Sequence, residues 1–263
     1  MNRKTRGMSL VEVLVGGAIL VAIIFTLTAI LLDSLQIRQR MEAKTSVQSS
    51  ARLSLDKISR DASAASHIRA SYTNGAFDVS SGPNTLILGL PAFDSSNVDL
   101  GVDDIVIYRV YGPSIPYKLE KRVYPSPGSQ RASTMEILSN NVLLMEATYF
   151  VRQPINCDGA TLQYSLDAIP NDTNIIVVLD GTETSLSAAN ATYSTIDNTV
   201  TFDVAPSLGS SVEFLYKVDP QNYADKVSLV ELNLGMQRYT INGTGFTKSN
   251  QFFSTTRAQL MNN

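Results

Sequence analysis

The chain has 263 residues, a formal net charge of −3, one histidine, one cysteine and no tryptophan. A charge this close to balance excludes the strong basic field that nucleic-acid binding requires. A single cysteine, Cys157, excludes an intramolecular disulfide, so the fold depends on packing. Cys157 is then an inert buried thiol, a free thiol or half of an intermolecular bridge.

An apolar run dominates the N-terminal part of the chain. About 20 residues, 13–32, contain only Thr26 and Thr28 as hydrogen-bonding side chains, and a helix of that length spans roughly 30 Å, the thickness of a bilayer core. The run follows a basic cluster formed by Arg3, Lys4 and Arg6, as the positive-inside rule expects. A secretory signal has a shorter apolar core followed by a small-residue cleavage site, whereas this run leads directly into a polar helix. We therefore expect a transmembrane helix.

Glu12 lies about one turn inside this apolar helix. An ionised carboxylate in such a position costs about 2.5 kcal/mol or more unless something pairs with it. The residue therefore requires either a partner or a place near the membrane interface. Gly16 and Gly17 are small enough to let neighbouring helices approach closely, although glycine is also common in ordinary membrane helices.

The order Gly7-Met8-Ser9-Leu10-Val11-Glu12, between a basic leader and an apolar helix, resembles the class III signal of type IV pilins and type II secretion pseudopilins. The resemblance implies cleavage between Gly7 and Met8 by a prepilin peptidase and N-methylation of Met8, where most relatives have phenylalanine. It also implies that Glu12 neutralises the terminal amine of a neighbouring subunit during assembly. The alternative is a plain single-pass anchor in which Glu12 lies near the interface and extends to water.

The helical pattern continues past Leu32 and becomes amphipathic. One helix face is expected to pack on a sheet because apolar residues recur at spacings of three and four; these are Val47, Ala51, Leu55, Ile58, Ala62 and Ala65. His67, near the expected helix end, is interpreted as a solvated residue or one that interacts with the helix dipole. The segment 50–65 is similar to the PilW- and GspJ-like branch of minor pilins. For that branch the resemblance implies an α+β, pilin-like ladle, with a long N-terminal helix on an antiparallel β head.

Strand-like patterns follow the helix. Four runs are rich in Val, Ile, Leu and Tyr, and clusters of Gly, Pro, Asn and Ser separate them. The runs are 85–90, 104–111, 117–123 and 141–151. Between 156 and 219 charges become fewer, and four shorter strands are predicted at 161–166, 174–179, 199–204 and 211–218, the last two as a hairpin. Val230, Leu232, Leu234 and Met236 then alternate as in a half-buried strand.

These patterns, together with what the resemblance implies, divide the chain into six expected segments. They are a leader at 1–7, an assembly helix at 8–32, an amphipathic helix at 33–68, the first part of the β head at 69–155, an inserted all-β module at 156–219 and the closing strands at 220–263. The closing segment is similar to the last strand and tail of the same minor-pilin branch, with Met261 and Asn262 where arginine is common.

The nearest approach to a chemical site is the acidic stretch 94–104. Asn97, Asp99 and Asp103 around Gly101 could offer oxygen ligands to Ca²⁺, but the spacing is not that of an EF-hand loop and its closing glutamate is missing. The other interpretation, a solvated loop without metal, is favoured. No nucleophile elbow, zinc motif or phosphate loop accompanies His67 and Cys157, so we expect neither catalysis nor a cofactor.

The sequence therefore predicts a minor pilin or pseudopilin that prepilin peptidase processes. It would enter a type IV pilus or type II secretion pseudopilus, where it initiates, caps or decorates the filament. The expected partners are other pilins, through the N-terminal helix, and the bacterial inner membrane, which the chain crosses once before assembly with its head in the periplasm or outside. The alternative is a membrane-anchored β-domain adhesin or surface protein that does not polymerise.

Overall fold

The computed structural model describes residues 10–75, 77–242 and 245–261, with side chains described except at 239–250. The described part contains two helices and fifteen strands. They are α1 Leu10–Ser63, β1 His67–Ile68, β2 Ser71–Asn74, β3 Phe77–Ser80, β4 Thr85–Phe93, β5 Asp99–Tyr111, β6 Tyr117–Tyr124, β7 Thr134–Ile155, β8 Gln163–Ser165, β9 Ile176–Leu179, β10 Thr182–Ser185, β11 Ala191–Ser194, β12 Thr199–Phe202, β13 Val212–Lys217, α2 Pro220–Tyr223, β14 Leu229–Asn242 and β15 Gly245–Gln259. The chain forms two compact units, 1–46 with 238–250, and 47–237 with 251–263.

In the first unit, every described side chain of α1 from Leu10 to Glu42 is exposed. The hydroxyl groups in this part are bonded within the helix: those of Thr26, Thr28 and Ser34 each donate to the carbonyl four residues earlier, at 2.7–2.8 Å. Such bonds satisfy a hydroxyl without water, which suits an apolar surrounding. Among the residues that the structure describes, one helix, near the N-terminus, is long and apolar enough to cross a membrane.

In the second unit, the C-terminal part of α1 packs on a large antiparallel sheet. The residues of the predicted apolar face are all buried, from Val47 to Ala65, and they share one hydrophobic cluster with Leu86, Val106 and Leu119 of the sheet. The face predicted from spacing is therefore confirmed, and the fold is α+β.

The helix ends at Ser63, so the expectation that it continues to residue 68 is wrong. His67–Ile68 form β1, an edge strand paired with β4. The backbone N–H groups of Ser66 and Arg69 donate to Gly89 and Ile87 at 2.8 and 3.0 Å. Pairing with a distant strand satisfies the backbone here, and it overrides the local helical pattern.

The main sheet has the order β1-β4-β5-β6-β7-β13-β9-β10, with β14 and β15 added on the other side of β7. β7, with 22 residues, is the shared strand. Its first half pairs with β6, while its second half pairs with β13 along one edge and β14 along the other. On β14, the alternating Val230, Leu232, Leu234 and Met236 are all buried, which confirms the predicted half-buried strand.

The segment 156–219 contributes strands to two sheets. β8, β11 and β12 form a separate three-stranded sheet, whereas β9, β10 and β13 extend the main one. The predicted hairpin of the last two strands is wrong, because β12 pairs with β8 and β11 while β13 pairs with β7 and β9. The two sheets meet through aromatic rings, with Phe202 stacked on Phe214 at 6.0 Å. That the segment is an insertion stays a prediction.

Candidate functional site

The N-terminal part of α1 carries the residues on which the assembly prediction depends. Glu12 lies in the first described turn of the helix, and the apolar side chains around it, Leu10, Val11 and Val13, are exposed. A Cβ added at Gly16 or Gly17 would have no atom within 4 Å, so these positions leave open space on the helix surface. The leader charges Arg3, Lys4 and Arg6 and the predicted cleavage site at Gly7 and Met8 lie outside the described residues.

The acidic stretch 94–104, which the sequence offered only as a weak metal candidate, lies in β5 and in the turn before it. Asp99 accepts a hydrogen bond from the Gly101 N–H at 2.9 Å, and Asp103 accepts one from the Ser66 hydroxyl at 2.8 Å. Asn97 adopts a φ of 61°, in the left-handed region that asparagine tolerates in turns. Within residues 10–75, 77–242 and 245–261, no three His, Cys, Asp or Glu side chains converge as a metal site requires.

The histidine and one serine meet at the edge of the sheet. His67 Nδ1 lies 3.4 Å from Asp103 Oδ2 and 3.0 Å from Ser66 Oγ. In a catalytic triad the serine and the carboxylate contact opposite ring nitrogens, whereas here both contact Nδ1. The arrangement therefore positions the ring rather than activating the hydroxyl. The sequence suggested that His67 is solvated or interacts with the helix dipole, whereas the structure places it half-buried in this edge contact, in β1 and beyond the helix end at Ser63.

Three acidic groups form ion pairs that were not predicted from the sequence; Asp104 and Glu120 are buried, and Asp61 is half-buried. The first is Asp61 on α1, which accepts hydrogen bonds from the Tyr108 hydroxyl at 2.6 Å and from Lys121 Nζ at 2.5 Å. Burial and the nearby Asp61 carboxylate raise the pKa of Tyr108, so its hydroxyl remains a donor. This cluster joins the helix to two strands of the sheet.

The second is Asp104, which is fully buried. It accepts hydrogen bonds from the Ser126 N–H, the Ser129 hydroxyl and Arg131 Nη1, each at 2.7 Å. Burial alone would raise the pKa of Asp104, but these hydrogen bonds and the Arg131 charge together lower it. The ionised carboxylate therefore holds the 126–131 loop against β5.

The third is Glu120, also fully buried, on the opposite face of the sheet from α1. Arg109 and Arg122 both donate to its Oε1, and both guanidinium groups stack on the Phe77 ring, at 4.6 and 4.4 Å. Burial alone would raise the pKa of Glu120, but the two arginines lower it. The cluster holds the β2–β3 hairpin against the sheet. Arg109 and Glu120 meet only because of the register between β5 and β6, which the sequence does not reveal.

Cys157 is buried, and its Sγ lies 4.0 Å from the Ile155 carbonyl oxygen. A thiol in these surroundings is not placed for an intermolecular bridge. Comparison of the chain with protein families, with curated proteins and with solved structures finds no match.

Proposed function

We propose that this protein is a minor pilin or pseudopilin subunit that assembles through its N-terminal helix. The observation that carries the proposal is the first part of α1, a fully exposed apolar helix with one carboxylate, Glu12, in its first described turn. A helix of this kind is stable only in a membrane or among other apolar helices. The order of residues 7–12 adds the processing signal described above.

The role of Glu12 follows from charge. A carboxylate within the hydrocarbon region is costly, and a neighbouring ammonium group removes much of that cost by pairing with it. Cleavage after Gly7 would create such an ammonium group at Met8 of each subunit. A subunit in register with its neighbour then gains an ion pair between Glu12 and that ammonium group, whereas a misplaced subunit does not gain it. Glu12 would therefore select the register of assembly.

The rest of the chain supports this role because the part of the helix that packs on the sheet is different from the part that is apolar and exposed. The apolar face of the helix from Val47 onward is buried against the sheet, so in this proposal the sheet and its loops take no part in the membrane contact. The filament would be a type IV pilus or a type II secretion pseudopilus, and the subunit would initiate, cap or decorate it. Before assembly the chain would cross the bacterial inner membrane once, with its head in the periplasm or outside.

Substitution of Glu12 tests the proposal. We expect Glu12→Ala to insert in the membrane and yet fail to enter the filament fraction, and Glu12→Asp to retain part of its incorporation because it keeps the charge. Glu42→Ala is the matched control, since Glu42 lies on the same helix in an exposed pair with Arg38 at 3.0 Å. Incorporation is measured by quantifying the chain in sheared filaments relative to membranes.

Mass spectrometry of the membrane-bound chain, from cells with an active prepilin peptidase, adds an independent test. The proposal expects a methylated N-terminus at Met8. Normal incorporation of Glu12→Ala, or an intact Met1, would favour the alternative of an anchored β-domain protein that does not polymerise.

A further inference from the structure

The outer edge of β15 is the longest open sheet edge in the described part of the chain. β15 pairs only with β14, whereas the two ends of the main path are the short strands β1, of two residues, and β10, of four. Soluble proteins protect long edges with lysine, proline or bulges, because unpaired backbone groups attract other strands. Lys248 lies in the first part of β15, whereas residues 251–259 contain no lysine or proline, and their one charge is Arg257. The part of the edge formed by residues 251–259 therefore lacks the usual protection.

Contacts with β14 show which backbone groups face outward. Arg257 contacts Glu231, Thr255 contacts Asn233 and Gln251 contacts Gln237, so the strands are antiparallel. Just beyond the two strands, the Leu260 N–H donates to the Ser228 carbonyl at 2.9 Å, while the Ser228 N–H donates to Phe150 of β7, so Leu260 directs its N–H toward the β14 side. Because hydrogen-bonded pairs alternate along an antiparallel ladder, even-numbered residues direct their backbone groups to β14. Phe253, Thr255 and Arg257 thus direct their N–H and C=O groups to the open edge.

The side chains along this edge complement a second copy of the same strand. When two copies are antiparallel with Thr255 opposite Thr255, each open N–H faces an open C=O. Phe253 then lies opposite Arg257 of the second copy, an arrangement that permits a cation–π contact, and the two Thr255 side chains form a favourable cross-strand pair. Phe253 is well placed for this, since the residue is 58% exposed and its ring lies over Gly235 of β14. A register centred on Arg257 would instead place two like charges opposite each other.

We propose that two copies of this chain associate by antiparallel pairing of their β15 strands, centred on Thr255. The nearest competitor for the edge is β10, whose Glu183 lies 3.2 Å from Arg257 Nη1. That contact joins two long side chains, and β10 forms no backbone ladder with β15. The planar guanidinium of Arg257 binds the carboxylates of Glu183 and Glu231 through its edge, so its face stays available for the Phe253 ring of the second copy. The proposal does not rest on assembly through α1, because no residue of the helix takes part.

Cysteine cross-linking of the full chain in mild detergent tests the pairing. Residues opposite each other in a hydrogen-bonded antiparallel pair have Cα atoms about 5.5 Å apart, within the range of a disulfide. We expect Thr255→Cys to form covalent dimers under mild oxidation. The matched control is Thr182→Cys on the exposed β10 edge, and the wild-type chain, whose only cysteine is buried, gives the background.

A mixed experiment tests the register. Chains with Phe253→Cys and chains with Arg257→Cys, carrying different tags, should cross-link to each other severalfold more than either does to itself. Equal cross-linking in all combinations would overturn the proposed register.

Proline substitution separates loss of pairing from loss of fold. The Thr255 N–H points outward, so Thr255→Pro should abolish the dimer and leave the thermal unfolding of the monomer near that of wild type. Thr256→Pro removes an N–H that bonds to β14, so it should lower the unfolding temperature. Thr255→Lys, which sets two like charges opposite each other at the centre, should reduce dimer formation severalfold.

Two results would overturn the proposal. One is cross-linking of Thr255→Cys no greater than that of Thr182→Cys, which would indicate association through the membrane helix alone. The other is cross-linking of Thr255→Cys mainly to a different protein, which would make the occupant an extended strand from another chain. Loss of filament incorporation in Glu12→Ala with an unchanged Thr255→Cys dimer would support both proposals separately.

Discussion

Removal of one buried side chain at the helix–sheet interface tests how the head is held together. Ile58 on α1 is 1% exposed and belongs to the main hydrophobic cluster. The substitution Ile58→Ala deletes three carbon atoms, worth about 2.4 kcal/mol at about 0.8 kcal/mol each. The cavity left behind adds to this, so we expect the free energy of unfolding to fall by about 3 to 4 kcal/mol. Leu53→Ala, on the same helix at 67% exposure, should change it by about 0.5 kcal/mol or less.

Urea unfolding of the full chain in mild detergent measures this difference. The chain has no tryptophan, so fluorescence reports on tyrosine, and Tyr108 and Tyr216 are fully buried in the head. With a denaturant slope of about 1–3 kcal/mol per molar, Ile58→Ala should lower the urea midpoint by about 1 M or more without changing the slope.

Equal effects of the two substitutions would refute the reasoning. If both were small, the interface would not contribute to the stability of the head. If both were large, Leu53 would be buried against something other than solvent. Only a large effect at Ile58 together with a small one at Leu53 agrees with the helix face described above.

Two further substitutions probe the polar and steric details of the head. Asp104 and Glu120 have lowered pKa values in the folded chain, so their stabilisation is present above the unfolded values of about 4 and is lost as the pH falls through the folded ones. The urea midpoint should therefore drop between pH 5 and pH 3, and Asp104→Asn should make this drop smaller; an unchanged drop would contradict the role of Asp104. At Gly89, an added Cβ would lie 2.6 Å from Cε1 of His67, so Gly89→Ala should lower the free energy of unfolding by about 1–3 kcal/mol. The double variant with His67→Ala should recover most of that loss, and a thermal unfolding series that shows no recovery would exclude this steric cause.

The helix was the part most accessible to sequence analysis. Its apolar run and the stripe from Val47 to Ala62 depend on local spacing, which the helix geometry converts directly into one buried face. The end of the helix was missed by five residues because β4, some twenty residues later, supplies partners to residues 66–69. The helix propensity of residues 64–68 does not indicate that a distant strand will pair with them.

Strand pairing was less predictable for the same reason. The stretches that form β12 and β13 were recognised as strands, and a turn between them was correctly expected. The two strands do not pair with each other, because β12 pairs with β8 and β11 while β13 pairs with β7 and β9. Turn residues determine where a chain bends but not which edge it then joins. The Arg109, Glu120 and Arg122 cluster likewise depends on the register between β5 and β6, so it becomes visible only when those strands are paired.

The shared strand β7 has a consequence for the order in which the head can form. Its second half needs β14, whose pairing with it begins at Leu229, about eighty residues further along the chain. Contacts of such sequence separation form slowly, since loop closure must precede them. Because the chain is made from its N-terminus, the helix is complete long before the strands that finish the sheet. For that interval the edge of β7 that pairs with β14 is open, and folding of the head awaits the synthesis of β14.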